Sequence, residues 1–587
     1  MRSKKLNINA IYLVICGIAA ITFCLLLVLP GTGWLVRYQV KILTHRPIDL
    51  ILLLKDMGVK ELPGVDGDIP PQMDVLANRA LDNSYQEQLS AALSAPYGKQ
   101  VNMLVALAQK CNGAERAEAL AHALRLDTMG TIRIQRDDEV SAYWGETAST
   151  YAPARETPRS EFELFDRTAA EGERLDPDNA YFPMMRAVGL FATHRDAEGL
   201  EAIRRAGSKT KYEDYAMNDA VVRLAHLERR AGRQTSIASL MVIASALFPH
   251  YAQLRASARF VAYSASKAEQ AGRNEEGFVL RRAMMRCGSM MRVQSRSQIG
   301  SLVGDAIVPI CMQTNESHYG GIGKTAWNAL TPEQRRSRRI ELYTAYLKRT
   351  GHPEEAPWVV QEQAMGDLAR HIGQQAIDSG PMGSQTLGTI FRMFGGTMLV
   401  LANAAELLLL CGAMWICKGN RSAERIALVT LLLLFVICAF RMEWAPAMVG
   451  LREVVSNLSD PNASTLNGTS ASQFVFSVFS GSPVVVRFVA IFGCLIGPVF
   501  AVAVLTIMRL ARGKQEESVI ASGLRRGGAV IAMLLVATYA LALAGLVKEE
   551  TAQRRAQLRM MQGESAYYSE LVGKPWPPAA PEPVGEH

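Results

Sequence analysis

Two kinds of hydrophobic pattern divide this chain. Near the N-terminus, and again between Leu387 and Val547, apolar residues form nearly unbroken runs. Between these regions they recur every three or four positions with polar faces between them, which is the pattern of amphipathic helices packed on one another. Alternating segments rich in Val and Ile are almost absent, so few strands are expected. The pattern predicts a mainly α protein with a large helical domain and five transmembrane helices.

The first run, Ala10 to Leu29, is about as long as a spanning helix needs to be. Arg2, Lys4 and Lys5 precede it, and Pro30-Gly31-Thr32-Gly33-Trp34 stops it. A cleaved signal peptide has a shorter apolar core and a small-x-small cleavage site. The reading is therefore a short cytoplasmic N-terminus, 1–9, followed by an uncleaved anchor at 10–30. A membrane domain at 386–547 holds four further spans, at about 395–417, 426–445, 484–508 and 527–547. Lys418, Arg421 and Arg425 follow the second span, Arg509, Arg512 and Lys514 follow the fourth, and Arg525 and Arg526 precede the fifth. Basic residues stay in the cytoplasm, which places residues 31–385 outside, as an extracytoplasmic domain. The tail 548–587 is also outside; it ends Pro-rich and is expected to be disordered or extended. These features describe an integral protein of a bacterial inner membrane.

Within 31–385, a loop from Leu62 to Pro71 separates a short helix near Asp49–Met57 from a longer one near Gln72–Leu93. A helix over Glu161–Leu175 ends in Asp176-Pro177-Asp178-Asn179-Ala180. A second helix runs to Ala192, His194-Arg195-Asp196 makes a turn, and a third spans Ala197–Ala206. Fainter echoes pair Val101–Lys110 with Ala114–Leu126, Asp219–Arg230 with Thr235–Leu247, and Val261–Ala271 with Glu275–Arg286, each across a short Gly turn. Thr331-Pro332-Glu333 opens a further helix that runs to about residue 349, and Asp378–Gln385 reads as the linker into the membrane.

The 161–206 stretch resembles the tetratricopeptide family, whose units close on Leu-Asp-Pro-x-Asn. Ala187, Ala197 and Ala202 fall near that family's small positions, where paired helices approach closely. The resemblance implies an α-solenoid with a superhelical, partner-binding surface and no catalysis. The alternative is an ordinary helical domain whose one such boundary is made by Pro and Asx chemistry.

The net charge of +8 partly reflects Lys and Arg at membrane edges, so it does not argue for nucleic acid. Nine cysteines include no CxxC pair and no His/Cys cluster, so neither a zinc site nor a disulfide framework is indicated. Cys111, Cys287 and Cys311 allow one bridge or stand as free buried thiols. There is no HxxxH, HExxH or GxSxG, so no catalytic, metal or cofactor residues are assigned. Asp137-Asp138-Glu139 reads as a solvated turn. Gly320-Gly321-Ile322-Gly323-Lys324-Thr325 looks like the end of a phosphate-binding loop, but His318 stands where a Gly is needed and no strand precedes it, so nucleotide is not expected.

Two polar features remain. Glu406, with Asn403 one turn earlier, lies inside the second span, and Arg441 in the third is its candidate partner, with Glu443 as a rival. Arg281, Arg282 and Arg286, near Arg292 and Arg296, form one basic patch. Arg335, Arg336 and Arg339, near Arg338, form another. Each patch contacts either anionic headgroups or an anionic polymer, or is a face balanced by nearby Glu. The functional expectation is a membrane-anchored helical-repeat scaffold that binds a protein partner in an envelope complex, with the lipid bilayer as its second partner. The alternative is a permease-like subunit of an export or transport system, and a third reading is a membrane enzyme.

Overall fold

A computed structural model describes residues 8–44, 404, 408, 517–582 and, with short gaps, 82–379. The spans expected at 395–417, 426–445 and 484–508 lie outside the described residues, apart from the helical positions Ala404 and Leu408. The helix expected near Asp49–Met57 also lies outside them. Among the described residues the chain is mainly α, and no strand is present.

In chain order the helices are α1 Ile8–Val28, α2 Gly33–Thr44, α3 Tyr85–Leu93, α4 Gln100–Ala108, α5 Gly113–Asp127, α6 Asp137–Tyr143, α7 Arg159–Leu175, α8 Tyr181–Ala192 and α9 Asp196–Gly207. Then come α10 Ala216–Ala231, α11 Pro249–Gln270, α12 Asn274–Gln294, α13 Gln298–Cys311, α14 Lys324–Ala329, α15 Pro332–Thr350, α16 Ala356–Ser379, α17 Glu517–Gln562 and α18 Glu564–Val572. The chain forms two compact units. The first comprises Met1–Asp66, Thr235–Ile237 and Pro381–Arg554, and the second Gly67–Gln234, Ala238–Gly380 and Arg555–His587.

In the first unit, α1 is apolar throughout, and its exposed Val14, Ile18, Ile21, Leu25 and Val28 recur every three or four residues along one side. The expected stop at 30–34 becomes a tight corner. Thr32 Oγ1 donates to Leu26 O at 3.0 Å, and Arg37 donates to Leu27 O at 3.0 Å, so both satisfy carbonyls that the helix end leaves open. The amphipathic α2 that follows was not legible as a separate element. Ala19, Ala404, Ala532, Leu535 and Val536 pack together, and Tyr539 donates to Gln39 at 2.6 Å. In α17, Val530–Gln562 is long and apolar enough to cross a membrane.

In the second unit, helices that are neighbours in sequence pack in pairs: α4 on α5, α7 on α8, α8 on α9, α11 on α12 and α12 on α13. This arrangement is compatible with a helical repeat. α11 also reaches α5, α6 and α8, and α10 returns to α3. The expected helix ends at 175, 192 and 206 and the start at 197 agree with the structure to within a residue. The Asn179 side chain explains the boundary. Its Nδ2 donates to Asp176 and to Glu213 O, and its Oδ1 accepts from the amides of Tyr181 and Glu213 at 3.1 and 3.0 Å. The Asx chemistry thus starts α8 and also binds the 211–213 segment to it.

Close packing of α7, α8 and α9 depends on rings set over glycines. Phe182 lies over Gly172, Phe165 over Gly189 and Phe191 over Gly199. Ala187 and Ala202 are buried in the expected way, but Ala197 is exposed, and Gly199 takes the close position. At the α12–α13 crossing, Gly288 and Gly304 bring the two backbones together, and a Cβ on Gly304 would lie 2.5 Å from Gly288 O.

Several expectations change. Asp137-Asp138-Glu139 opens the helix α6 rather than a turn; Asp138 and Glu139 are exposed as expected, and Glu139 is also bonded by Arg136 and Tyr263. Cys111, Cys287 and Cys311 are free thiols. Within the expected tail, α17 runs through to Gln562, α18 follows, and 574–582 is extended and seated on the helical unit. The extended form is one of the two expected; what the Pro content did not show is that its polar groups meet partners remote in sequence.

An expected outcome follows for the ring-over-glycine contacts. A Cβ at position 172 would fall 2.1 Å from the Phe182 ring, so Gly172→Ala destabilises the helical unit by ~1–3 kcal/mol. The check is the denaturation midpoint of the purified protein, and an unchanged midpoint refutes this packing.

Candidate functional site

The most elaborated face of the second unit is the seat of the chain's own C-terminal segment on α12, α13 and α16. Three anchors hold it. The first is at the α17–α18 junction, where Arg296 donates to Gln562 O and Met561 O, each at 3.1 Å, and to Asn218 at 2.5 Å. A cation on the last carbonyls of a helix is a favourable cap. The second anchor is the start of α13. Ser297 caps Gly300 N at 3.0 Å, and the Glu564 carboxylate accepts from Gln298 N. Burial raises the Glu564 pKa above its ordinary value, against that amide bond. Ser301 and Ser565 meet at 2.9 Å.

The third anchor is the Pro-rich stretch. Gly573 adopts the left-handed conformation that ends α18. The chain then runs extended through Lys574-Pro575-Trp576-Pro577-Pro578. Arg292, with 1 % of its surface exposed, donates to Pro577 O at 3.0 Å and to Pro578 O at 3.1 Å. It also pairs with the buried Glu362 at 3.2 Å, and Glu362 in turn accepts the Ala580 amide at 2.5 Å. A Pro-rich strand has few amides to offer, so recognition falls on its carbonyls, and a buried guanidinium suits them. Beyond, Glu582 pairs with Arg286 at 2.9 Å and lies 3.9 Å from Arg282, which itself holds Glu355 at 2.9 Å.

These contacts settle where the first basic patch sits. Arg281 lies in the interior, where it bonds Glu269, Ser266 Oγ, Cys311 O and Gln313 O at 2.6–3.1 Å. Arg282 and Arg286 are half-buried and face the acid of the C-terminal segment. The second patch is different. Arg336 pairs with Asp367 at 2.5 Å and Arg338 with Glu341 at 2.9 Å, whereas Arg339 lies 5.6 Å over the Trp327 ring. Asn403, Glu406 and Arg441 lie outside the described residues. The Gly320–Thr325 stretch is preceded by helix α13, not by a strand, so it has no phosphate-loop context. The sequence did show Arg292 and Arg296 as cations, but it had no signal linking them to Glu362 or to residues 561–580.

A second polar cluster is fully buried. Asp214 accepts from Tyr251 at 2.6 Å, from His250 Nε2 at 3.2 Å and from the Ala216 amide at 3.0 Å. Burial alone would raise its pKa, but these donors hold it at about 2. Burial lowers the His250 pKa, against the pull of Asp214. Tyr251 continues to Ser297 at 2.8 Å. The cluster ties the start of α11 to the turns before α10 and α13. Among the described residues no group of His, Cys, Asp and Glu could hold a metal ion.

Fold and site together describe a mainly helical protein with paired helices, one candidate membrane helix and a helical face that holds an extended peptide. A scan against family models finds no match, and neither does comparison with curated proteins or with solved structures.

Two outcomes are expected here. Arg292→Ala leaves the Glu362 charge buried without its partner. It should cost about 3–5 kcal/mol and free the 574–582 segment, visible as fast hydrogen exchange at the Ala580 amide; continued protection of that amide refutes the anchor. The second concerns Glu213. Burial, and after it the charge of Asp214, raises its carboxyl to about 7 from 4.5. The folded state therefore holds this proton more tightly than the unfolded chain does. The stability it contributes is complete below pH 4.5 and is lost as pH rises through about 7. Glu213→Gln should lose less stability across this window than the wild type, by on the order of 1–3 kcal/mol. Denaturation midpoints at either end of the window measure the difference, and parallel curves refute the shift.

Proposed function

We propose that this chain is a membrane-anchored scaffold. Its large helical domain, of tetratricopeptide-like stacking, lies outside the cytoplasm of a bacterial cell and binds a protein partner in the envelope through an extended peptide segment. The observation that carries the reading is the seat of residues 574–582. A buried Arg reads two successive carbonyls, a buried Glu reads one amide, and two more Arg hold an acid. This is how helical domains hold extended peptides: main-chain polar groups set the register and a charge sets the polarity.

The membrane part of the reading has two supports. The unpartnered apolar side of α1 and the exposed Met533, Leu534 and Leu541 of α17 are surfaces suited to lipid. The second is parity. Residues on both flanks of 381–554 belong to one compact unit, so the membrane crossings between them must be even in number. Four apolar runs there meet that condition, and together with α1 they leave the N-terminus on the opposite side from the helical domain. The Lys/Arg bias puts that N-terminus in the cytoplasm.

The test uses a chain that ends at Gly573. Folded and inserted in nanodiscs, it should take up a labelled synthetic 574–587 peptide saturably, and Arg292→Ala should abolish the uptake. Absence of uptake by a truncated chain with a native circular-dichroism spectrum overturns the peptide-binding reading. Protease added to spheroplasts should digest the helical domain, and full protection overturns the orientation.

A further inference from the structure

The cations of α15 and α16 divide into those with acids and those without. Arg370 bonds both Asp305 and Asp367, and Arg336 shares Asp367. Arg338 takes Glu341 and also donates to Gly320 O at 3.2 Å. Of these acids Asp305 lies on α13, Glu341 on α15 and Asp367 on α16, while Glu333 at the start of α15 is exposed. Arg335 donates its Nε to Leu330 O at 3.0 Å and has no carboxylate among the described residues. Arg339, half-buried, has none either, and its guanidinium lies over Trp327. Burial, then the like charges of Arg370, Arg335 and Arg336, lower the Arg339 pKa, and no acid counters them.

A half-buried guanidinium that has no carboxylate of its own and feels the charge of other arginines is unfavourable unless an anion completes it. The local build keeps the group in place. Thr331 and Gln334 form a capping box that fixes the start of α15. Gly320, at φ +63, lies so close to Trp327 that a Cβ would meet the ring at 2.6 Å, which pins the ring beneath Arg339. The site therefore presents fork-shaped donors on a fixed helix turn beside an aromatic face.

We propose that Arg335 and Arg339, with Arg336 and Arg370 behind them, form a binding site for a phosphate group, supplied either by an anionic lipid headgroup or by a soluble phosphate compound. Guanidinium forks match the tetrahedral oxyanion and offer several N–H donors at once. The inference is independent of the peptide seat, because none of these four arginines is among the side chains that hold residues 574–582.

The experiment uses the full chain in nanodiscs, read by hydrogen exchange over residues 324–340. One arm adds inorganic phosphate to zwitterionic discs. The other compares zwitterionic discs with discs containing phosphatidylglycerol, without phosphate. Protection in the first arm alone assigns a soluble phosphate, and protection in the second alone assigns the headgroup. Protection in both assigns the phosphate group itself. Arg339→Gln should weaken the response at least about tenfold, the loss of one charge-assisted bond. Arg339→Met should raise the thermal midpoint of the ligand-free protein, because it removes a repelled charge; a lowered midpoint would make Arg339 structural and overturn the proposal. No protection in either arm, or an equal response in Arg339→Gln, also overturns it.

Discussion

A guanidinium taken out of water needs a counter-charge and acceptors for its N–H groups. Arg292 finds the charge in Glu362 and the acceptors in two carbonyls at the far end of the chain. Glu362, as buried as its partner, spends a lone pair on the Ala580 amide. Remove any member and a buried charge or dipole is left without a partner. This mutual dependence makes the last thirty or so residues part of the helical unit.

The interior around this contact shows how a mainly helical unit gets its shape. Rings over glycines set the spacing of α7, α8 and α9, and facing glycines set that of α12 and α13. Helices this close leave no room for water, so the polar groups that remain must satisfy one another. Arg281 does so with Glu269, Ser266 and two carbonyls, and Asp214 with His250, Tyr251 and an amide. These clusters hold turns and helix ends together. Arg335 and Arg339 lack such closure: among the described residues neither has a carboxylate, and Arg339 lies over the Trp327 ring instead.

Much of the helical unit was legible in the residues. The Leu175–Ala180 boundary, the turn at His194–Asp196 and the Thr331-Pro332 start are local chemistry, and local chemistry is written in consecutive positions. Sequence periodicity also separated the amphipathic helices from the apolar runs. The site was less legible. Arg281 and Arg292 read as surface charge because long basic side chains usually are, and nothing within a few residues of either reveals Glu269 or Glu362. Ala197 and Gly199 were confused for a similar reason: a small residue two positions away lies on the other side of a helix, and only the neighbouring helix decides which one it touches.

The sequence by itself determined a mainly α chain, the ends of its best helices and the apolar runs, because backbone propensity and the 3.6-residue period act over short distances. Tertiary structure alone decided that the Pro-rich end is seated rather than free, that Arg281 is core, and which arginines keep their charge uncompensated. Those outcomes depend on pairs such as Arg292 with Pro577 or Arg339 with Arg370, far apart along the chain and brought together only when the helices stack.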